Sequence, residues 1–481
     1  MAKQAVVVIH GMGEQLPMET LLSFVDTAWA NDASLVDRGK PDPNSGGRRV
    51  RNAYWSKPDR RSRSFELRVI TTESGKNRKR TDFYEFYWAH LMVDTTWEQL
   101  RAWVFELMLR NPFTKVPRAV LPLWILLWLI GIAAAGAAAY ALRPGAEDAS
   151  WLGAIAAATL SAALGWFVSG FLVRYFGDVA RYVRPKPANV ARRQEIRENG
   201  VRLLESLMGV REDGRIEPRR EYDRVVVVAH SLGTIIAYDI LAHAFARINT
   251  LSRQSADKPA AQDARVALEA MIRDALAGQG PWEIDAFQAA QAAAAKELIA
   301  AGNPWIVSDF VTLGSPLTHA EFLITRDRAH LTEAKAQRIL PCCPPTLEYD
   351  GQTKLRHFTY RPWSVEKIGR DDDPAAPRLP HHAALFAYTR WTNLYSPHRF
   401  VAWGDVISGP LGAAFGLEDG ATLHGIRDIA VLPELDADGR LEAGARRRFF
   451  THTRYWRETP AADGAPAHHI RALRAAMRLG G

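Results

Sequence analysis

Cysteine is nearly absent from this chain: two in 481 residues, Cys342 and Cys343, side by side. Adjacent cysteines cannot staple a fold, and no metal-ligand spacing accompanies them. The fold must therefore rest on a buried core, and so few thiols suit a reducing compartment. No motif asks for a cofactor or a metal. The paired His381 and His382 lack a third ligand nearby and read as surface residues. A large excess of one charge is also missing. Lys+Arg number 61 and Asp+Glu 53, a net of +8. Such a surplus admits an anionic membrane surface or nucleic acid. The basic stretches, the arginine-rich loop at 38–63 and Lys76, Arg78, Lys79 and Arg80, carry little interleaved aromatic content. Nucleic acid is therefore not an expected partner. The opening apolar run, Ala5–Ile9, is too short for a signal-peptide core, and no small-residue cleavage site follows.

What is present centres on residues 224–239, RVVVVAHSLGTIIAYD. Four consecutive valines, Val225 to Val228, suit a strand buried on both faces of a parallel sheet. After His230-Ser231-Leu232-Gly233 the apolar residues continue with helical spacing. Strand, tight turn with a serine, then helix is the context of a nucleophile elbow. A turn that sharp needs small residues two positions either side of Ser231, and Ala229 and Gly233 supply them. A capping serine in an ordinary turn is the plainer reading. Earlier, strand Ala5–Ile9 runs into His10-Gly11-Met12-Gly13, where glycines let a backbone N–H approach a ligand. Asp309–Leu317 is a further buried strand ending in Gly-Ser-Pro. Its Ser315 is a rival nucleophile, disfavoured by Pro316 directly after it.

Two long uncharged runs stand between these parts. Ala119–Leu142 and Ala149–Val173 each approach the roughly 20 residues of a membrane-spanning helix. Pro144 and Gly145 form the turn between them. Small residues recur every four positions, Gly131, Ala135 and Ala139 in the first run and Gly153, Ala157, Ser161, Gly165 and Ser169 in the second. Such spacing lets membrane helices approach closely. Arg110, Lys115 and Arg118 precede the pair, and Arg174, Arg181, Arg184 and Lys186 follow it. By the positive-inside rule both ends are cytoplasmic and the loop is outside. The expected organisation is one α/β domain in two parts, 1–116 and 177–481, interrupted by a transmembrane hairpin at 117–176. A lid-like insertion is expected at about 320–385. The abundance of alanine and arginine suits a high-GC bacterial chain, so a two-pass protein of a bacterial inner membrane is expected.

A serine nucleophile needs an imidazole base and a carboxylate to orient it. The α/β-hydrolase order is Ser, then acid, then His. Ser231, Asp405 and His452 satisfy that order, each after a plausible strand end. Asp428 is the rival acid, and His398 and His424 are rival bases. Hydrogen-bond reach within the triad is about 2.6–3.2 Å.

These pieces resemble the α/β-hydrolase superfamily, and within it lipase-like serine esterases. The matching elements are IHGMG, AHSLG, TLGSPL, NLY…GDVISGPL and HTRYW, covering roughly 1–30, 80–90 and 220–460. The resemblance implies a mostly parallel sheet flanked by helices and ester hydrolysis through an acyl-enzyme on Ser231. It also implies an oxyanion hole from the N–H groups of Met12 and Leu232, with His10, Gly11, Gly13 and Gly233 supporting the turns. The hairpin departs from the ordinary family plan. The expected activity is a membrane-anchored lipase or carboxylesterase acting on an acyl ester such as a phospholipid or lysolipid. A thioesterase or acyltransferase with the same triad, or an idle hydrolase fold serving as a membrane scaffold, are the alternatives.

Overall fold

The computed structural model describes residues 3–12, 16–74, 79–92, 108–113, 116, 121–141, 150–167, 179, 182–183, 187–252, 262–361, 378–398, 403–419, 421–431, 450–457 and 466–479. Eight strands form one sheet: β1 Lys3–Ile9, β2 Tyr54–Pro58, β3 Arg68–Thr72, β4 Arg80–Phe86, β5 Arg224–His230, β6 Val307–Leu313, β7 Arg390–Tyr395 and β8 Arg427–Ala430. Their order is β8-β7-β6-β5-β1-β4-β3-β2. Every pairing from β8 to β4 is parallel, and β3 and β2 add an antiparallel edge. The fold is thus α/β with a mostly parallel central sheet flanked by helices.

The valine run explains the centre. Val225 and Val227 join Ala5, Val7 and Ile9 on one face, while Val226 and Val228 join Val6 and Val8 on the other. Helices α4 Pro187–Leu207 and α5 Leu232–Ser252 cover the first face, and α1 Glu19–Val25 and α9 His468–Met477 cover the second. All four valines are at most 1% exposed, as a strand covered on both faces requires. The 256–303 stretch supplies α6 Asp263–Leu276 and α7 Ile284–Ala300. These are less superficial than their alanine content suggests, since Leu268, Ile272 and Phe287 are fully buried.

At the amino ends of the central strands one carboxylate sets the register. Asp309 on β6 accepts from Arg224 Nη2 of β5 at 2.6 Å and from Arg390 Nε and Nη2 of β7 at 2.9 and 2.8 Å. Arg224 also donates to the carbonyls of Met477 and Arg478 at the end of α9. Burial alone would raise the Asp309 carboxyl, but the two guanidiniums outweigh it and hold it below its ordinary value.

The segment 320–385, expected to be a lid-like insertion, is described at 320–361 and 378–385. Helix α8 Arg328–Ala336 and short ribbons fill part of it. The segment docks on α5 and α6, where Tyr238 donates to the Pro341 carbonyl and His357 and Thr359 meet Glu269. Residues 362–377 lie outside the described residues.

The two uncharged runs form helices α2 Leu121–Ala141 and α3 Ser150–Phe167, packed on each other. Among the described residues no helix is long and apolar enough to cross a membrane. The unbroken run of described side chains is 124–140 in α2 and 153–162 in α3. The two crossings expected from the sequence are therefore not established by the fold. Neither is the orientation, because the loop at 142–149 and the flanking Lys115, Arg118, Arg174, Arg181, Arg184 and Lys186 lie outside the described residues. The small-residue stripe needs correction. Leu127, Ala134 and Gly153 are buried, whereas Ala135, Ala139 and Ser161 are exposed. A Cβ on Gly131 would meet nothing within 4 Å. Gly165 and Ser169 lie outside what is described of side chains.

Asp309→Ala removes a buried carboxylate from two half-buried guanidiniums. Such a loss costs about 3 kcal/mol or more, measurable as a lower midpoint in urea unfolding at neutral pH. The folded pKa lies below the unfolded one, so this contribution is present above the unfolded value near 4 and is lost as pH falls through the folded value.

Candidate active site

Parallel strands deliver their following turns to one edge of the sheet, the usual place for a site in an open α/β sheet. Here β1 delivers His10-Gly11-Met12, β5 delivers Ser231, β6 delivers Gly314-Ser315, and β7 leads to Asp405. His452 follows β8 beyond residues 432–449, which lie outside the described residues.

Ser231 has φ +52, a left-handed conformation that a non-glycine residue adopts at a cost of order 1–3 kcal/mol. The surroundings hold it there. Its N–H donates to the Leu313 carbonyl at 3.0 Å, and its carbonyl accepts from Thr234 N and Thr234 Oγ1. Gly233 has no alternative, since a Cβ there would sit 2.4 Å from the His10 carbonyl oxygen. A Cβ on Gly11 would lie 2.9 Å from Ser231 Cβ. The two turns therefore touch, and Met12 follows directly on the chain beside the serine. Leu232 opens α5, whose first N–H groups have no partner within the helix. Gly13 lies outside the described residues.

Ser231 Oγ lies 2.8 Å from His452 Nε2, and His452 Nδ1 lies 3.0 Å from Asp405 Oδ2. All three residues are at most 2% exposed. Burial would raise the Asp405 carboxyl, yet the neighbouring His452 and hydrogen bonds from His452, Tyr455 and Ser408 bring it down to about 2. An ionised carboxylate only accepts. His452 Nδ1 therefore carries the proton, and Nε2 is left to accept from the Ser231 hydroxyl. Asp405 Oδ1 accepts from Ile407 N at 3.0 Å, and Tyr455 OH donates to Oδ2 at 2.7 Å.

Two supporting residues escaped the assignment of roles from sequence, although both lie inside quoted motifs. Tyr455, from HTRYW, also accepts from Ser396 N at 3.0 Å and meets Ser408 Oγ at 2.8 Å. His230, from AHSLG, places Nε2 2.8 Å from the His452 carbonyl. Burial, reinforced by His452, pushes His230 down to about 3, so the ring is neutral and donates to that carbonyl. Its edge packs on Trp456 at 4.9 Å between centroids. No periodicity signals either role. His10 is likewise fixed, stacked on Trp88 at 5.0 Å and accepting from Trp88 N at 3.2 Å, with burial lowering its pKa to about 4.

The rivals have other partners. Asp428 accepts from Leu411 N, Gly412 N and Asn393 Nδ2, holding the turn after the acid loop. Burial raises its carboxyl despite those donors. Ser315 bonds Thr234 Oγ1 at 2.7 Å and accepts from Leu317 N, capping a short helical turn. His424 packs beside Gly412 and Asp428, and His398 beside Gly404, so neither takes the place of His452. His381 and His382 bind the carbonyls of Thr346 and Arg338, and the described residues hold no metal-type cluster.

The described clefts of about 520, 470 and 500 Å³ are not lined by the triad. Compared with known proteins, the chain matches no family model, no curated protein and no solved structure.

Asp405→Asn and Asp428→Asn separate the two acids. The first is expected to lower fluorophosphonate labelling of Ser231 by about 10³-fold or more, because the imidazole loses its oriented tautomer. The second should leave the labelling rate within about threefold and cost only the order of 1 kcal/mol of stability. Equal labelling loss in both variants would remove Asp405 from its role.

Proposed function

We propose that this chain is a serine hydrolase of the α/β-hydrolase type that cleaves acyl esters through an acyl-enzyme. The observation that carries the reading is the buried relay from Ser231 through His452 to Asp405. In that reading His452 takes the Ser231 proton as the hydroxyl attacks the ester carbonyl. It then returns the proton to the leaving alcohol, and a water repeats the cycle to release the acid. The N–H groups of Met12 and Leu232 receive the developing oxyanion. A donor of that kind contributes about 10²–10³ in rate. A thioesterase or acyltransferase uses the same relay with a different leaving group or acceptor.

The substrate side of the proposal is a lipid ester at a membrane, with the hairpin as anchor and the hydrolase part on the cytoplasmic side. Its support is surface chemistry. Ile125, Leu126, Leu129 and Ile132 of α2 and Trp151 and Ile155 of α3 are exposed, an apolar area of the kind that marks a membrane or protein contact. The base of the hairpin also lies near the acid loop. Trp128 Nε1 donates to the Met108 carbonyl, and Arg110 donates to the Phe322 carbonyl with its guanidinium 4.7 Å from that ring. In the same stretch His319 binds the Val406 carbonyl next to Asp405.

Treatment with a fluorophosphonate followed by peptide mapping should label Ser231, and Ser231→Ala should abolish both the label and hydrolysis of a short-chain ester. An unlabelled, folded wild-type chain would favour the idle scaffold. Replacing residues 117–176 with a short flexible linker should leave soluble-ester turnover within about threefold, as expected for an insertion at a surface connection. The same variant should lose most of its activity on lipid vesicles. Full vesicle activity in it would remove the lipid assignment.

A further inference from the structure

A cavity of about 470 Å³ lies beside the outer half of the sheet, unused by the ester chemistry. Its size is within the roughly 300–1,000 Å³ of small-molecule sites. Strands β3 and β4 pair only at Ile70↔Phe83 and Thr71↔Asp82. The cavity is walled by Pro17, the 61–67 loop, the end of β4 and helix α4.

Glu85 stands at that end of β4, with 1% of its surface exposed. Its Oε2 accepts from Met18 N at 2.6 Å, while its Oε1 has no hydrogen-bond partner among the described residues. A buried polar atom left unpaired calls for an explanation. Burial raises the carboxyl to about 7, which shows how poorly its charge is matched within the chain. On the α4 wall, Arg202 donates to a neutral amide oxygen, Asn199 Oδ1, at 3.1 Å. The other guanidiniums of the cavity are spent elsewhere. Arg61 serves the Ser206 carbonyl and Glu221, and Arg63 serves Glu212.

Glu66 at the rim is exposed to solvent, so within the cavity stand one buried carboxylate oxygen unpaired among the described residues and one guanidinium with no ion pair among them. A lone anion would satisfy Arg202 and leave Glu85 unpaired, and a lone cation would do the reverse. We propose that this cavity binds a small zwitterion, with its ammonium on the Glu85 carboxylate and its phosphate or carboxylate on Arg202. The wall continues toward the serine. Tyr87, also lining the cavity, lies 5.3 Å from the His10 ring. Occupancy therefore bears on the turn that holds Met12, although the binding itself does not depend on the hydrolase reading.

Isothermal titration of the full chain with phosphoethanolamine, alanine, inorganic phosphate and ethanolamine tests it. The phosphate and carboxylate zwitterions are separate arms that identify the anionic group. At least one zwitterion should bind about tenfold or more tighter than both single-charge probes. Glu85→Gln, which keeps an acceptor for Met18 N, should weaken that zwitterion about tenfold or more. Arg202→Gln, on a partly exposed position, should do the same and decides the matter alone if the Glu85 variant does not fold. The proposal fails if neither zwitterion binds below about 10 mM. It fails equally if inorganic phosphate binds as tightly as phosphoethanolamine, or if Arg202→Gln leaves the affinity unchanged.

Discussion

Two backbone turns share one small volume at the carboxyl ends of β1 and β5, and the candidate site depends on their contact. The His10 carbonyl lies where a Gly233 side chain would be, and Gly11 lies against Ser231. Such a fit requires a fixed register between the strands, Ile9 beside Ala229. A slip of one residue would exchange the faces of all four valines. The far end of the sheet guards against it. Asp309 grips Arg224 and Arg390 across three strands, and Arg224 reaches Gln4 of β1 as well. The ion pairs at one edge and the crowded turns at the other are thus two ends of one constraint. The left-handed Ser231 is affordable only because both ends hold.

The same crowding sets the electrostatics. A carboxylate as buried as Asp405 would be raised if its oxygens faced hydrocarbon. Instead an imidazole N–H, a phenol and a backbone amide point at it, and it falls to about 2. Asp428 lies in the neighbouring strand and has three donors of its own, yet they are neutral amides and its carboxyl rises. Two acids of the same type, both shielded from water, are driven apart by whether an imidazole N–H and a phenol donate to them, since His424 stands beside Asp428 without bonding it. His230 and Tyr455 complete the arrangement without being nucleophile, base or acid. One pins the backbone of His452, and the other links Asp405 to Ser396 and Ser408. They act by positioning, and a tyrosine that serves three partners leaves its carboxylate little freedom to rotate.

How far these features can be read from sequence depends on their range. The buried strand at 224–230 and the turn after it are local, written in valines, a serine and small residues. The strand at 307–313 announces itself in the same way. Strands β2 and β3 do not. They are antiparallel edge strands with mixed polar sequence, YWSKP and RVITT, inside arginine-rich loops, and only pairing to β4 defines them. The meeting of Ser231, Asp405 and His452 was legible as chain order but not as geometry. The choice between Asp405 and Asp428 is made by the fold alone. The roles of His230 and Tyr455 are long-range, spanning 222 and 50 residues to their partners, and no window of sequence contains them. The hairpin shows the opposite failure. Its composition was plain, but of the repeat of small residues Gly153 is buried while Ala135, Ala139 and Ser161 are exposed, and Leu127 and Ala134 are buried in their place.

That burial pattern bears on how the hairpin and the relay are related. An interface built on Leu127, Ala134 and Gly153 leaves Ile125, Leu126, Leu129, Ile132 and Ile155 pointing away from the partner helix. Burying a side chain of this size is worth about 1.5–3 kcal/mol, so surroundings able to cover several of them outweigh most single contacts inside the domain. The domain holds the hairpin base through Trp128 to Met108 and Arg110 to Phe322. Phe322 lies three residues from His319, whose ring reaches the loop carrying Asp405. The hairpin is therefore joined to the domain beside the segment that meets the loop carrying Asp405, and away from Asp309 and its partners at the other end of the strands.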